Sequence, residues 1–151
     1  MADITRTATS TWIGNLKSGM GKTSTDSGVL KDAQITYPSR FETGAGTNPE
    51  ELIGSAHASC FSMALAHGLS QEGHPPEEIK TKATLTLSSQ EQGFKITAIH
   101  LETEGRVPGI DDVVFQQSAQ VAKETCPVSL LLKPGLDKLT LSASLAQAKD
   151  L

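Results

Sequence analysis

Between Leu52 and Leu69 the chain carries no aspartate, glutamate, lysine or arginine. Leu52, Ile53, Ala56, Ala58, Phe61, Met63, Ala64, Leu65, Ala66 and Leu69 are interrupted only by glycine, serine, histidine and cysteine. The segment before this run, Asn48-Pro49-Glu50-Glu51, reads as a helix start. Asn48 suits the N-cap, Pro49 the first helical position, and the two glutamates the positive end of the helix dipole. The pattern predicts a helix from Pro49 to Gln71, stopped by Gly73 and Pro75-Pro76. Its apolar positions fall on every face, whereas a helix on the outside of a subunit keeps a charged side. A chain of this length has little material to wrap such a helix completely. A partner subunit is therefore expected to cover it, as an obligate homodimer.

Beyond the helix, Ile79, Thr81, Ala83, Leu85 and Leu87 alternate with Lys80, Lys82, Thr84, Thr86 and Ser88, the period of a strand with one buried face. Gln90-Glu91-Gln92-Gly93 reads as a hairpin loop, and Phe94 to Thr103 as the returning strand, ended by Val107-Pro108-Gly109. A second helix is expected from Asp111 to Glu124, with Val114, Ala119, Val121 and Ala122 toward the core. A short third helix runs from Pro127 to Leu132 and is stopped by Lys133-Pro134-Gly135. Lys138 to Leu145 is a final strand with Leu139, Leu141, Ala143 and Leu145 inward.

The first third reads as strands and turns. Ala8 to Leu16, the turn signals at Gly14-Asn15, Ser18-Gly19-Met20-Gly21 and Asp26-Ser27-Gly28, and an edge strand from Thr36 to Phe41 marked by Pro38 suggest a small meander. Gly44-Ala45-Gly46-Thr47 is a loop. The sum is an α+β chain, a single domain over residues 1–151, with antiparallel sheets packed around a long central buried helix.

Composition narrows the function. Lys+Arg 13 against Asp+Glu 17 leaves a net charge of −4 without a basic cluster, and aromatics are 4%, so a nucleic-acid partner is not expected. No stretch is apolar enough to span a membrane. Met1-Ala2-Asp3-Ile4-Thr5-Arg6 lacks an apolar signal core, so a cytoplasmic location is expected. The two cysteines, Cys60 and Cys126, are too few for a secreted disulfide scaffold or a four-cysteine zinc site. In a reducing compartment such a pair is free, catalytic or redox-active.

Cys60 falls mid-way along the predicted helix, a position that by itself favours a small core residue. Cys126 directly precedes Pro127 at a helix junction, where backbone amides can favour its thiolate. One as attacking thiolate and the other as resolving thiol make a coherent peroxide-reducing pair. A thiolate at Cys60 needs a positive neighbour. Arg40 is the best candidate, clamped by Glu50 or Glu51, although either acid can instead serve the helix start alone. Along a straight helix Glu50 and Cys60 lie about 15 Å apart. They share a site only through a long bridging arginine, a break near Gly54, or contributions from two chains. His57 and Cys60 share a helix face as metal ligands can, but no third ligand is evident, and a polar core histidine is the favoured reading.

Taken together, Arg40-Phe41-Glu42, Gly46-Thr47-Asn48-Pro49-Glu50-Glu51-Leu52-Ile53-Gly54, Ala56-His57-Ala58-Ser59-Cys60-Phe61-Ser62-Met63-Ala64-Leu65, Val107-Pro108-Gly109-Ile110 and Cys126-Pro127-Val128-Ser129 resemble the osmotically inducible protein C (OsmC/Ohr) family, in its OsmC branch. The resemblance covers nearly the whole chain. It implies an intertwined homodimer with active sites at the subunit interface. It also implies a thiol-dependent peroxidase for organic hydroperoxides, less effective on hydrogen peroxide, with a role in oxidative or osmotic stress. Cys60 matches the family's peroxidatic position, Cys126 the resolving one, Arg40 the arginine that stabilises the thiolate, and Glu50 its acidic partner, with Glu51 as the fallback. No metal or prosthetic cofactor is implied, only an external thiol or dithiol reductant, such as a lipoyl group. Leu52, Ile53, Phe61 and Met63 are candidates for an apolar wall beside the peroxide. Two other readings remain: a non-enzymatic dimeric stress or ligand-binding protein with structural cysteines, and a metal-dependent hydrolase using His57 and Cys60.

Overall fold

The computed structural model of the chain describes residues 1–147; the last four residues of the expected 1–151 domain lie outside the described residues. The chain divides into two compact units, Met1–Leu52 and Ile53–Leu151. Each contains a three-stranded sheet.

The first unit is the expected meander. β1 (Ala8–Ile13), β2 (Met20–Thr25) and β3 (Ala33–Ile35) pair antiparallel in that order. Trp12 lies opposite Gly21, where a Cβ would come within 2.7 Å of the indole ring, so glycine leaves room for the ring to lie on the neighbouring strand. Residues Thr36 to Phe41 depart from the expected edge strand. Strand pairing ends at Ile35, and Tyr37–Phe41 form a short helix, α1. Thr36 Oγ1 accepts the Ser39 N–H and Ser39 Oγ accepts the Thr36 N–H, a reciprocal cap that a strand cannot offer. Pro38 falls in the first turn, where its missing N–H costs no helical bond. Ser39 also donates to the Thr47 carbonyl at 2.7 Å, and its own carbonyl accepts from the Asn48 side chain at 3.0 Å. These bonds tie α1 to the start of the long helix.

That helix, α2, runs from Pro49 to Gln71 as predicted. Asn48 is its cap, with Oδ1 accepting the Glu51 N–H at 2.7 Å. In the second unit β4 (Glu78–Gln90) and β5 (Gly93–Arg106) form the expected hairpin, paired from Glu78 opposite Arg106 to Gln90 opposite Gly93 with a shift of register between Thr86 and Leu87. The chain then makes α3 (Asp112–Thr125), α4 (Pro127–Leu132) and a single 3-10 turn (Lys133–Gly135) before β6 (Lys138–Leu145). Asp111 Oδ1 caps α3 at the Val114 N–H.

The expectation of antiparallel sheets needs one correction, because β6 lies beside β5 in parallel, Ala98 opposite Lys138 through Gly105 opposite Leu145. The link between them is two helices rather than a tight turn, and such a crossover returns the chain to the same end of the sheet.

Phe61, Leu65 and Leu69 of α2, Ile99 and Leu101 of β5, and Phe115, Ala119 and Ala122 of α3 form the core of this unit. Burial of each large side chain contributes about 1.5–3 kcal/mol. The alternating residues Ile79 to Leu87 and Leu139 to Leu145 half-bury their apolar members against this core. Phe115 takes the place expected of Val121, which is exposed. Gly105 makes room for it, since a Cβ there would stand 2.6 Å from the phenyl ring. Within one chain α2 is buried along a single stripe through Gly54, His57, Phe61, Leu65 and Leu69. Its other side, with Ala56, Ser59, Met63 and His67, is exposed and uncharged. Among the described residues no helix is long and apolar enough to cross a membrane.

Candidate active site

The second unit brings the two cysteines together. Cys60 rides on α2, on the edge of the buried stripe, and is half-buried. Cys126 is the hinge between two helices: its N–H closes α3 on the Ala122 carbonyl at 2.9 Å, and its carbonyl receives the Leu130 N–H of α4 at 3.0 Å. Pro127 at the first position of α4 enforces the change of direction. Cys126 is fully buried, and both thiols are free. The two thiols lie close enough for Cys126 to bear on the ionisation of Cys60, and the Val128 backbone is a further neighbour of the Cys60 sulfur.

These surroundings act on Cys60 in opposing directions. Burial raises its pKa most, and the hydrogen bond and charge of Cys126 add to that. The Val128 bond favours the thiolate but does not reverse the outcome. The amides at the start of α4, expected to serve Cys126, are thus represented at Cys60 by Val128. The contacts of the second unit thus favour the protonated thiol.

A second rung lies one helical turn from the first. His57, three residues before Cys60, is fully buried and shares a 2.7 Å hydrogen bond through Nε2 with Ser129 Oγ, three residues after Cys126. Its Nδ1 has no hydrogen-bond partner among the described residues. Burial lowers the histidine pKa, which keeps the ring neutral. The sequence reading singled out His57 as a core residue or ligand and passed over Ser129. The spacing of 57/60 equals that of 126/129, but Cys126 precedes the predicted helix, so the spacing alone gives no sign of the contact. Among the described residues no group of three or more His, Cys, Asp or Glu side chains is placed to hold a metal ion, so His57 and Cys60 gain no third ligand.

The first unit holds the expected clamp. Arg40, in the last turn of α1, reaches the first turn of α2. Its Nη2 meets Glu50 Oε1 at 2.7 Å, while Nε stands 3.2 Å and 3.3 Å from the two carboxylate oxygens. This two-pronged geometry fixes the guanidinium plane. Glu50 is nearly buried, whereas Glu51 is exposed and lends its backbone N–H to the Asn48 cap. Of the two acids, Glu50 is the one paired with Arg40. The Phe41 ring adds a face for the guanidinium, 5.2 Å from Cζ. Of the residues proposed for an apolar wall, Phe61 belongs to the core and Met63 is exposed.

A free dithiol at close range, reachable on one sulfur and sealed on the other, can cycle between two thiols and one disulfide, the chemistry of thiol redox proteins. Residues 42–138 match the family model for OsmC-like protein, and the chain belongs to that family. It is 50% identical over 122 residues to the peroxiredoxin OsmC of Escherichia coli, covering 81% of this chain and 85% of that one. It is 31% identical over 120 residues to the organic hydroperoxide resistance protein OhrB of Bacillus subtilis, covering 78% and 85%. The crystal structure of OhrB superposes with a TM-score of 0.70 over 90% of this chain and 98% of that chain, at 29% identity. The higher identity to the OsmC protein agrees with the branch expected from the residues around His57 and Met63.

Proposed function

We propose that the protein is a two-cysteine peroxidase that reduces organic hydroperoxides to alcohols, and hydrogen peroxide less well, in defence against oxidative or osmotic stress. The observation that carries this reading is the closeness of Cys60 and Cys126, the two cysteines of the chain, near enough for one to bear on the ionisation of the other. Membership of a family that includes a peroxiredoxin and hydroperoxide resistance proteins supports it.

In this reading Cys60 is the peroxidatic residue. It is the half-exposed member of the pair, so peroxide reaches it first. Arg40, oriented by Glu50, is the cation that favours its thiolate. The thiolate attacks the near oxygen of ROOH. The O–O bond breaks, ROH leaves after taking a proton, and Cys60 becomes a sulfenic acid. Cys126 then attacks that sulfur; an S–S bond forms, the S–O bond breaks, and water departs. An external thiol or dithiol, a lipoyl group among the candidates, returns both residues to thiols by exchange.

The working form is an obligate homodimer in the cytoplasm. The exposed side of α2, uncharged through Ala56, Ser59, Met63 and His67, supports the dimer, because a helix side without charges is covered in the working particle. Thiol counting tests the reading directly. One equivalent of cumene hydroperoxide should remove both free thiols of the reduced protein and leave an intrachain disulfide on a non-reducing gel. Two unreacted thiols after that treatment would reject it in favour of structural cysteines.

A further inference from the structure

We propose that the His57–Ser129 hydrogen bond is a positioning device for the resolving step, holding the first turn of α4 against α2 so that Cys126 stays within reach of Cys60. The proposal rests on the peroxidase reading above and adds two residues to it. Neither His57 nor Ser129 touches peroxide in this account; both act through Cys126.

Three observations converge. The first is the ladder: His57 faces Ser129 and Cys60 faces Cys126, so two pairs with equal spacing join α2 to the segment that carries the resolving thiol. Three residues of helix are about 4.5 Å of rise, so fixing one rung limits the excursion of the other to a fraction of that length. The second is the weakness of α4 itself. It has six residues, begins at Pro127 and runs into the turn containing Pro134. A helix this short does not hold its own shape, and its place depends on tertiary ties. The third is the state of His57. The ring is fully buried with Nε2 bonded and Nδ1 unpartnered among the described residues. A leucine or phenylalanine would fill that volume without leaving a polar atom unsatisfied. Packing alone therefore does not account for a histidine there, whereas a directional bond to Ser129 does.

The step it serves is demanding. A disulfide forms only when the two Cα atoms stand within about 7 Å and the sulfurs meet at a defined dihedral angle. After oxidation Cys60 carries an extra oxygen, which must leave as water while Cys126 loses its proton and closes the S–S bond. A loosely held α4 would spend most of its time outside that geometry. Oxidation of Cys60 needs no disulfide geometry, and of α4 it draws only on the Val128 backbone beside the sulfur.

The test separates the two steps by rapid mixing of the full-length reduced protein with one equivalent of cumene hydroperoxide. Peroxide loss reports the first step. Trapping with dimedone, read by intact mass, reports the sulfenate, and quenched thiol counts report the disulfide. In Ser129→Ala, peroxide loss should stay within about twofold of the unmodified protein, while disulfide closure slows by about tenfold or more and the Cys60 sulfenate accumulates. His57→Gln places an amide near the position of Nε2 and should restore closure to within about threefold, whereas His57→Asn stops short of Ser129 and should remain slow. That pair of variants decides the matter if Ser129→Ala does not fold. A lower melting temperature with an unchanged ratio of sulfenate to disulfide assigns the bond a purely structural role and overturns the proposal. So does closure at the unmodified rate in both Ser129→Ala and His57→Asn. Failure of the peroxidase reading looks different: the unmodified protein itself then yields neither sulfenate nor disulfide.

Discussion

The clamp of the first unit and the thiol pair of the second handle charge in opposite ways. In the first, Arg40 and Glu50 keep a full positive and a full negative charge locked together in a two-pronged bond, with the arginine still about one-third exposed. In the second, burial works against the thiolate of Cys60 and against the protonated ring of His57. The first unit owns a cation; the second owns a nucleophile whose own neighbours favour its protonated form. A charge is cheap to hold near water and costly to hold in a core. In the proposed cycle the reaction draws on both environments.

Removing the nucleophile breaks this division outright. Cys60→Ser should reduce hydroperoxide consumption, followed with a dithiol reductant, to the uncatalysed background, because serine has no comparable anion at neutral pH. Cys126→Ser should separate the steps. A single equivalent of peroxide is still consumed, sulfenate accumulates at Cys60, and turnover falls to the rate at which external thiol reaches that sulfur. Equal loss of the first step in both variants would contradict the assigned roles.

Removing the cation sharpens the comparison at smaller cost. Arg40→Ala should slow the first step by about 10- to 1000-fold, the effect of raising a thiol pKa by one to three units. Ultraviolet titration of the Cys60 thiolate should show its pKa moving further upward. Glu50→Gln keeps the arginine but loses the charged half of the clamp, so its effect should be smaller, about tenfold or less. An unchanged titration in Arg40→Ala would assign the clamp to holding α1 on α2 instead.

How much of this was legible in the residues depends on what kind of pattern each feature leaves. The bounds of α2, α4 and β6 matched because caps, prolines and alternation are local signals. The direction of β6 was not readable, since alternation is identical in parallel and antiparallel strands. Thr36 to Phe41 was misread because Pro38 was taken for an edge-strand marker, while the Thr36–Ser39 cap uses serine where glutamate or glutamine is the usual signal. Phe115 was overlooked as a core residue; its place is made by the missing side chain of Gly105, on a different element. At the site, the Arg40–Glu50 choice hinged on which carboxylate the helix start leaves free, a question of side-chain direction rather than spacing. The meeting of Cys60 and Cys126 was argued from their being the chain's two cysteines and from the family resemblance, because residues so distant in sequence carry no local sign of contact. Ser129 looked like any serine in a first turn.

The smallest effect concerns stability rather than catalysis, and it distinguishes the buried site from the clamp by pH. His57 is neutral in the folded protein with its pKa lowered by burial, whereas the unfolded chain shows the ordinary histidine value of about 6.5. Above that value the ring is neutral in both states and the full stability is present. As pH falls below it, the unfolded chain binds the proton first, so stability is lost progressively down to the folded-state pKa, by at most about 1.4 kcal/mol per pH unit. Cys60, raised by burial in the surroundings the second unit provides, sets the opposite limb to the extent that Arg40 does not offset it: stability is full below the unfolded thiol value of about 8.5 and declines as pH rises toward the folded one. Urea unfolding across pH 5 to 10 should therefore show a plateau between about 6.5 and about 8.5 with a falling limb on each side. His57→Gln should flatten the acid limb and leave the alkaline limb in place. Cys60→Ser should do the reverse. Because the two substitutions act on neighbouring rungs of one ladder, an acid limb that survives His57→Gln would place its origin outside the second unit's buried stripe.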